Sequence, residues 1–316
     1  MLLADPTTAP TTTMARTALF IALAIVTVGF VTVLGRALRA RAAAGTRVRP
    51  TRALSATGFI ANFFDTLGIG SFATTTSIVR HWKLIADEKI PGTMNVAYAL
   101  PTITQAFIYT RIVPVDTKTL ILMILAAVLG AWLGAGVVSS WPRRRIQIGM
   151  GLALLGAATI MVLSQPQIGL IPAGGTLLAL GGTRLALGVI GNFVLGALMT
   201  IGIGLYAPCM ILVYMLGMEP TAAFPIMMGS CAFLMPLASV RFVRTGGYAA
   251  SAVLGMALAG VPAVLIAAFI VKSLPLTAVK WLVVVVVTYT AINLLRAARR
   301  NRDIAGEAVS AETQPA

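Results

Sequence analysis

Charge divides this chain into segments. Residues 119–142, 146–183 and 185–218 contain no Asp, Glu, Lys or Arg at all. A helical run of about 20 apolar residues crosses the ~30 Å hydrocarbon layer of a bilayer, so uncharged stretches of this kind predict membrane spans. Charged residues make up only 10% of the chain, against the ~25% usual in a soluble domain. A soluble enzyme is thereby excluded. The net charge of +15 would suggest nucleic acid in a soluble protein, but here the 24 Lys and Arg cluster between apolar stretches, the pattern that orients membrane proteins. No nucleic-acid partner is expected.

The first 15 residues are read as a disordered tail. Thr17 to Gly35 forms a first span, followed by Arg36, Arg39, Arg41, Arg47, Arg49 and Arg52 and preceded only by Arg16. That asymmetry predicts an uncleaved anchor with its N-terminus outside, because a signal peptide carries its charge in front. Further apolar segments follow at 53–79, 91–110, 119–140, 146–163, 185–216, 221–240, 248–271 and 277–295. The polar residues after 296 are expected to be a disordered cytoplasmic tail. Two segments exceed a simple span: as single helices 185–216 would measure ~48 Å and 53–79 ~40 Å. Each is interrupted by glycines, in Leu67-Gly68-Ile69-Gly70 and Ile201-Gly202-Ile203-Gly204. If both cross once, 15 basic residues fall inside and 9 outside. If both are re-entrant hairpins, 18 fall inside, 6 fall outside, and Arg143-Arg144-Arg145 becomes cytoplasmic. The positive-inside rule favours the hairpins.

An offset of 134 residues superposes the two glycine motifs and carries Ala73 onto Ala207 and Pro91 onto Pro225 without a gap. Upstream, residues 58–63 match 188–193 after a four-residue shift. The predicted fold is therefore an all-α polytopic membrane protein with an inverted-topology internal repeat, each half a broken or re-entrant hairpin plus three transmembrane helices. The organisation is 1–52 tail, anchor and basic linker; 53–163 first repeat; 164–184 connector; 185–296 second repeat; 297–316 tail. Inverted repeats are the design of transporters with a site near mid-membrane.

Gly58 to Gly70 matches the first repeat motif of the TauE/SafE permeases, a family named for sulfite and sulfonate export, and Gly188 to Pro208 resembles its second motif. The resemblance covers residues 53–296, and the first span lies outside it. It implies a permease for sulfite or an organosulfonate in the cell inner membrane. Family members commonly continue the motif with more glycines and a proline. Here Ser71-Phe72 and Leu205-Tyr206 follow, and only Pro208 supplies the proline. These bulkier residues would narrow or reshape the pocket.

The chemistry is expected at the two breaks. A helix interrupted in a bilayer frees N–H groups that carry the positive end of a dipole, so two such ends meeting at mid-depth could hold an anion without a cationic side chain. Gly68, Gly70, Gly202 and Gly204 let backbone approach a ligand; Ser71, Thr74, Thr75, Asn62, Asn95, Asn192 and Tyr206 are the candidate polar contacts. Of nine Asp and Glu, Asp65 alone falls inside a predicted span. An intramembrane carboxyl marks an ion or proton path, which makes Asp65 the candidate for proton coupling; the alternative is a cap for the second half-helix. Asn95, Thr102, Thr104 and Gln105 recur along one apolar segment, where interhelical bonding or a pathway would explain them. Gly130 and Gly134 are read as packing residues. A single histidine, His81, and two cysteines, Cys209 and Cys231, provide no metal-site spacing, and no cofactor is expected. The expected activity is secondary transport of a small anion, outward and linked to protons, with the bilayer as its medium and a homodimer compatible with the glycine faces. An anion channel or a non-transporting assembly or sensor subunit are the alternatives.

Overall fold

The structure is a computed structural model that describes residues 8–138, 143–165, 168, 170, 175–200 and 204–312. Among these it is all-helical. The helices are α1 (Thr8–Ala43), α2 (Arg52–Thr66), α3 (Ser71–His81), α4 (Ile90–Ile112), α5 (Thr117–Val138), α6 (Arg143–Leu163), α7 (Gly182–Met199), α8 (Tyr206–Met215), α9 (Ala223–Thr245), α10 (Ala250–Ser273) and α11 (Leu276–Glu312). Short 3-10 turns at Asp87–Lys89 and Pro220–Ala222 lead into α4 and α9. Among the described residues, 6 helices are long and apolar enough to cross a membrane, and the architecture is that of a polytopic helical membrane protein.

Both ends of the chain depart from the expected disorder. α1 already begins at Thr8, with Pro10 in its first turn, where a missing N–H costs nothing. α11 continues through the stretch read as a tail to Glu312, because residues 297–312 are rich in Ala, Arg and Glu, which extend a helix already nucleated by packing.

Both long segments are divided at their glycines. α2 stops where Gly68 adopts φ +95°, and Gly68 N–H donates to Asp65 O at 2.8 Å and Ile69 N–H to Phe64 O at 3.1 Å. This pair of bonds, with a left-handed glycine, turns the chain out of a helix. Gly70 follows at φ +84°, and α3 starts one residue later. The second interruption separates α7 from α8; Gly202 lies outside the described residues.

α3 and α8 close alike. Lys83 N–H donates to Arg80 O and Leu84 N–H to Val79 O, and 134 residues later Gly217 N–H donates to Tyr214 O and Met218 N–H to Val213 O. Lys83 (φ 49°) and Gly217 (φ 86°) take the same left-handed turn. α4 and α9 are each 23 residues long; Pro91 is the second residue of the one and Pro225 the third of the other.

The pairings cross between the halves. α2 lies along α10, α7 along α5, α4 along α9 and α6 along α11. Close approach depends on glycine. A Cβ at Gly58 would strike the Met256 backbone, one at Gly130 the Phe193 carbonyl, and one at Gly196 the Ala127 carbonyl. The connector is tied down as well: Leu177 N–H donates to Gly217 O, Glu219 N–H to Leu177 O, and Asp116 N–H to Leu178 O. α1 packs across α9, α4 and α5. Phe20 stacks on Phe107 at 5.7 Å, Arg16 donates to Val115 O at 3.0 Å, and Arg41 donates to Tyr248 O at 3.2 Å with its guanidinium 4.1 Å above that ring.

Gly130→Leu should force α5 from α7 and cost about 1–3 kcal/mol, lowering the thermal midpoint of detergent-purified protein by several degrees. Gly149→Leu, at an exposed glycine with open space beside it, should leave that midpoint unchanged.

Candidate functional site

The broken backbone at residues 67–70 finds its hydrogen-bond partner in its own helix. Asp65, in the last turn of α2, reaches across the break and accepts from Ser71 N–H at 2.6 Å through Oδ1. Ser71 is the first residue of α3, so the carboxylate occupies the position where that half-helix would attract an anion. The Ser71 hydroxyl also bonds Asp65. The other oxygen, Oδ2, accepts from Gln105 Nε2 at 3.0 Å. Asp65 is 3% exposed, yet Arg80–Asp87 is the only ion pair among the described residues. The partners of Asp65 are dipolar groups, Ser71, Gln105 and the Tyr206 hydroxyl.

Gln105, on α4, joins the two breaks. Its Nε2 also donates to Thr66 Oγ1 at 2.9 Å, while its Oε1 accepts from the Tyr206 hydroxyl at 2.9 Å. Tyr206 is the first residue of α8, the helix that follows the second break. Thr66 in turn donates to Asn62 O at 2.7 Å, and Tyr109 donates to Thr66 O at 3.2 Å. All these donors are buried. Around them lie Cys231 and the thioethers of Met210 and Met227, the latter two closing over Gly68. Beside Gly70 and Gly204, by contrast, no atom lies within 4 Å of where a Cβ would stand, so open space adjoins both breaks.

Of the residues expected to form the site, Asp65, Gly68, Gly70, Ser71 and Tyr206 are gathered here, with Gly204 two residues before Tyr206. Thr75 sits one turn further along α3 and shares a hydrogen bond with Tyr98 at 2.5 Å; Thr74 is half-buried beside it. Asn62 is fully buried, and its amide donates to Gly58 O at 2.7 Å. Asn192, also fully buried, donates to Met123 O at 2.7 Å and Ser230 Oγ at 3.2 Å. Both asparagine Oδ1 atoms lack a hydrogen-bond partner among the described residues. Asn95 does not join the cluster. It lies near the start of α4 and donates to Pro91 O at 2.9 Å, because ten residues of helix separate it from Gln105. Thr102, on the neighbouring turn, donates to Met235 Sδ at 3.5 Å.

Gln105 was singled out only as one of the polar residues recurring along its segment, and Thr66 and Tyr109 were not among the candidates. Gln105 had a signal, since an amide in the middle of an apolar span is costly unless partnered. Thr66 and Tyr109 resemble ordinary span residues in sequence. Among the described residues no group of His, Cys, Asp and Glu could hold a metal. No family model, curated protein or solved structure matches this chain.

Ser71→Pro tests the bond across the break, since proline fits the first helical position but removes the N–H that Asp65 uses. The loss should be about 1.5–3 kcal/mol, as for a bond to a charged group. In a thermal double-mutant cycle, Asp65→Asn should reduce the cost of Ser71→Pro by about 1 kcal/mol or more, whereas two independent sites would be additive.

Proposed function

We propose that this protein is a secondary transporter of the TauE/SafE type, which carries a small anion such as sulfite or an organosulfonate out across the cell inner membrane in a proton-linked cycle. The observation that carries the proposal is the meeting of two helix breaks at one buried cluster, Asp65–Gln105–Tyr206.

In this reading α2–α3 and α7–α8 are re-entrant hairpins that enter from opposite faces. Contacts along α10 and α4 support the first. Gly58 and Asn62 of α2 pack beside Met256 and Gly260, in the order that leads inward from the start of α10. α3 then retraces the depth: Thr75 meets Tyr98, and Thr76 meets Met94 near the start of α4. For the second, α7 begins beside Thr119 at the start of α5, and α8 leads from Gln105 to Ser164 at Tyr214. The crossed pairings and the paired ends of α3 and α8 support an inverted repeat. This topology puts 18 of the 24 basic residues on one face, which would be cytoplasmic, with the N-terminus outside and the C-terminus inside.

Asp65 connects the site to protons. While ionised it repels an anion from the start of α3, so an anion can use that end only when the carboxyl is neutral. Asp65 as cap and Asp65 as proton carrier are then two states of one residue. A hinge at Gly68 and Gly70 would let the tip of the first hairpin swing and expose the cluster to alternate faces.

Sulfite flux into proteoliposomes under an imposed proton gradient tests this reading. The intact protein should accumulate sulfite against its gradient, and folded Asp65→Asn should lose that uphill component. Flux that runs only downhill and ignores the proton gradient would indicate a channel. Absence of flux for sulfite and for a panel of sulfonates from folded protein would refute the transport reading.

A further inference from the structure

Each hydrogen in the central cluster has an assigned direction. Tyr206 O–H donates to Gln105 Oε1, Gln105 Nε2 donates to Asp65 Oδ2 and Thr66 Oγ1, and Thr66 O–H is committed to Asn62 O. An ionised carboxylate only accepts, and both Asp65 oxygens here receive donors. At Oδ2, which faces the Gln105 NH2, this polarity suits the ionised form of Asp65.

A proton on Asp65 Oδ2 would face the Gln105 NH2, donor against donor. The hydroxyls of Ser71 and Tyr206 also bond Asp65, and on the Gln105 side the acceptor within reach is the far end of the same amide. A half-turn of the Gln105 carboxamide brings Oε1 to the new Asp65 O–H and Nε2 to the Tyr206 oxygen. Tyr206 must then accept, and its own hydrogen turns away from Gln105. We propose that Gln105 is a two-position switch that transmits the protonation of Asp65 to the Tyr206 hydroxyl, changing it from a committed donor into one available to a bound anion. The switch rests on the proton-linked anion transport proposed above and supplies its coupling step. The proton comes from a hydronium ion of the solvent, which leaves as water, so one O–H bond forms at Asp65 as one in the hydronium breaks. The amide, the phenol and the Thr66 hydroxyl, which turns from Asn62 O to meet Oε1, only rotate.

The surroundings favour this route. The titratable groups near Asp65 are Tyr98 of α4, Tyr206 of α8 and Cys231 of α9, with Cys209 of α8 beside Cys231. α10, which packs along α2, has no Asp, Glu, Lys, Arg, His, Cys or Tyr before Lys272, and α2 has no ionisable residue besides Asp65 and its first residue, Arg52. No cation therefore competes with Gln105 for the carboxyl group. In the switched state the neutral carboxyl still accepts from Ser71 N–H, so the cap on α3 survives while its charge is gone. Gln105 is on this view a positioning residue: it acts through Asp65 and Tyr206.

Infrared difference spectra of the full-length protein in lipid vesicles, recorded along a pH titration, test the switch without any substrate. The Asp65 carboxylic C=O band is assigned by its loss in Asp65→Asn, and the Tyr206 ring C–O band by its loss in Tyr206→Phe. In the wild type both bands should titrate with one midpoint. In Gln105→Met the Asp65 band should still titrate and the Tyr206 band should stop following it. In Asp65→Asn the Tyr206 band should be independent of pH, so the proposal remains testable even if Gln105→Met does not fold. Separate midpoints in the wild type, a coupled shift in folded Gln105→Met, or a pH-dependent Tyr206 band in Asp65→Asn would overturn the switch. Coupled bands in a protein that moves no sulfite or sulfonate would sustain the switch and overturn the transport reading.

Discussion

A bilayer core offers no water to bond a freed N–H or C=O, so a helix may be broken there only if the protein supplies the missing partners. Everything around residues 65–71 follows from that constraint. The glycines at 68 and 70 take positive φ angles that let α2 end sharply, and Asp65 returns from the ending helix to bond the first N–H of the next. A charge so placed needs further donors, which brings in Gln105; Gln105 has an acceptor left over, which brings in Tyr206 from the second break. The cluster is a chain of successive obligations, each residue satisfying the one before it.

The two halves satisfy the requirement differently. No side-chain bond caps α8, and its start carries Tyr206 with open space at Gly204. The two buried asparagines also differ: Asn62 bonds within its own helix, whereas Asn192 reaches α5 and α9. The first break is thus capped by a side chain of its own helix, and the start of α8 has no side-chain cap.

Much of this was legible in the sequence. The first helix interruption coincides with a glycine pair, because glycine tolerates the positive φ that Gly68 and Gly70 adopt. The uncharged stretches correspond to long apolar helices, and Asp65 stood out as the sole carboxylate within one. The rest depended on three dimensions. Asn95 and Gln105 look alike along α4, and only the depth of the α2–α3 tip decides which of them meets Asp65. Composition hid the helical part of the first segment: Thr8 to Thr13 suggested a tail, but one proline in a first turn does not prevent a helix.

Arg16 and Arg41 hold α1 at two points 25 residues apart, about 38 Å along the helix axis. One grips the turn between α4 and α5, the other the turn between α9 and α10. Those turns belong to different halves of the chain and lie at opposite ends of the bundle. α1 therefore works as a strut of fixed length: it sets how far the α4–α5 corner can rise relative to the α9–α10 corner.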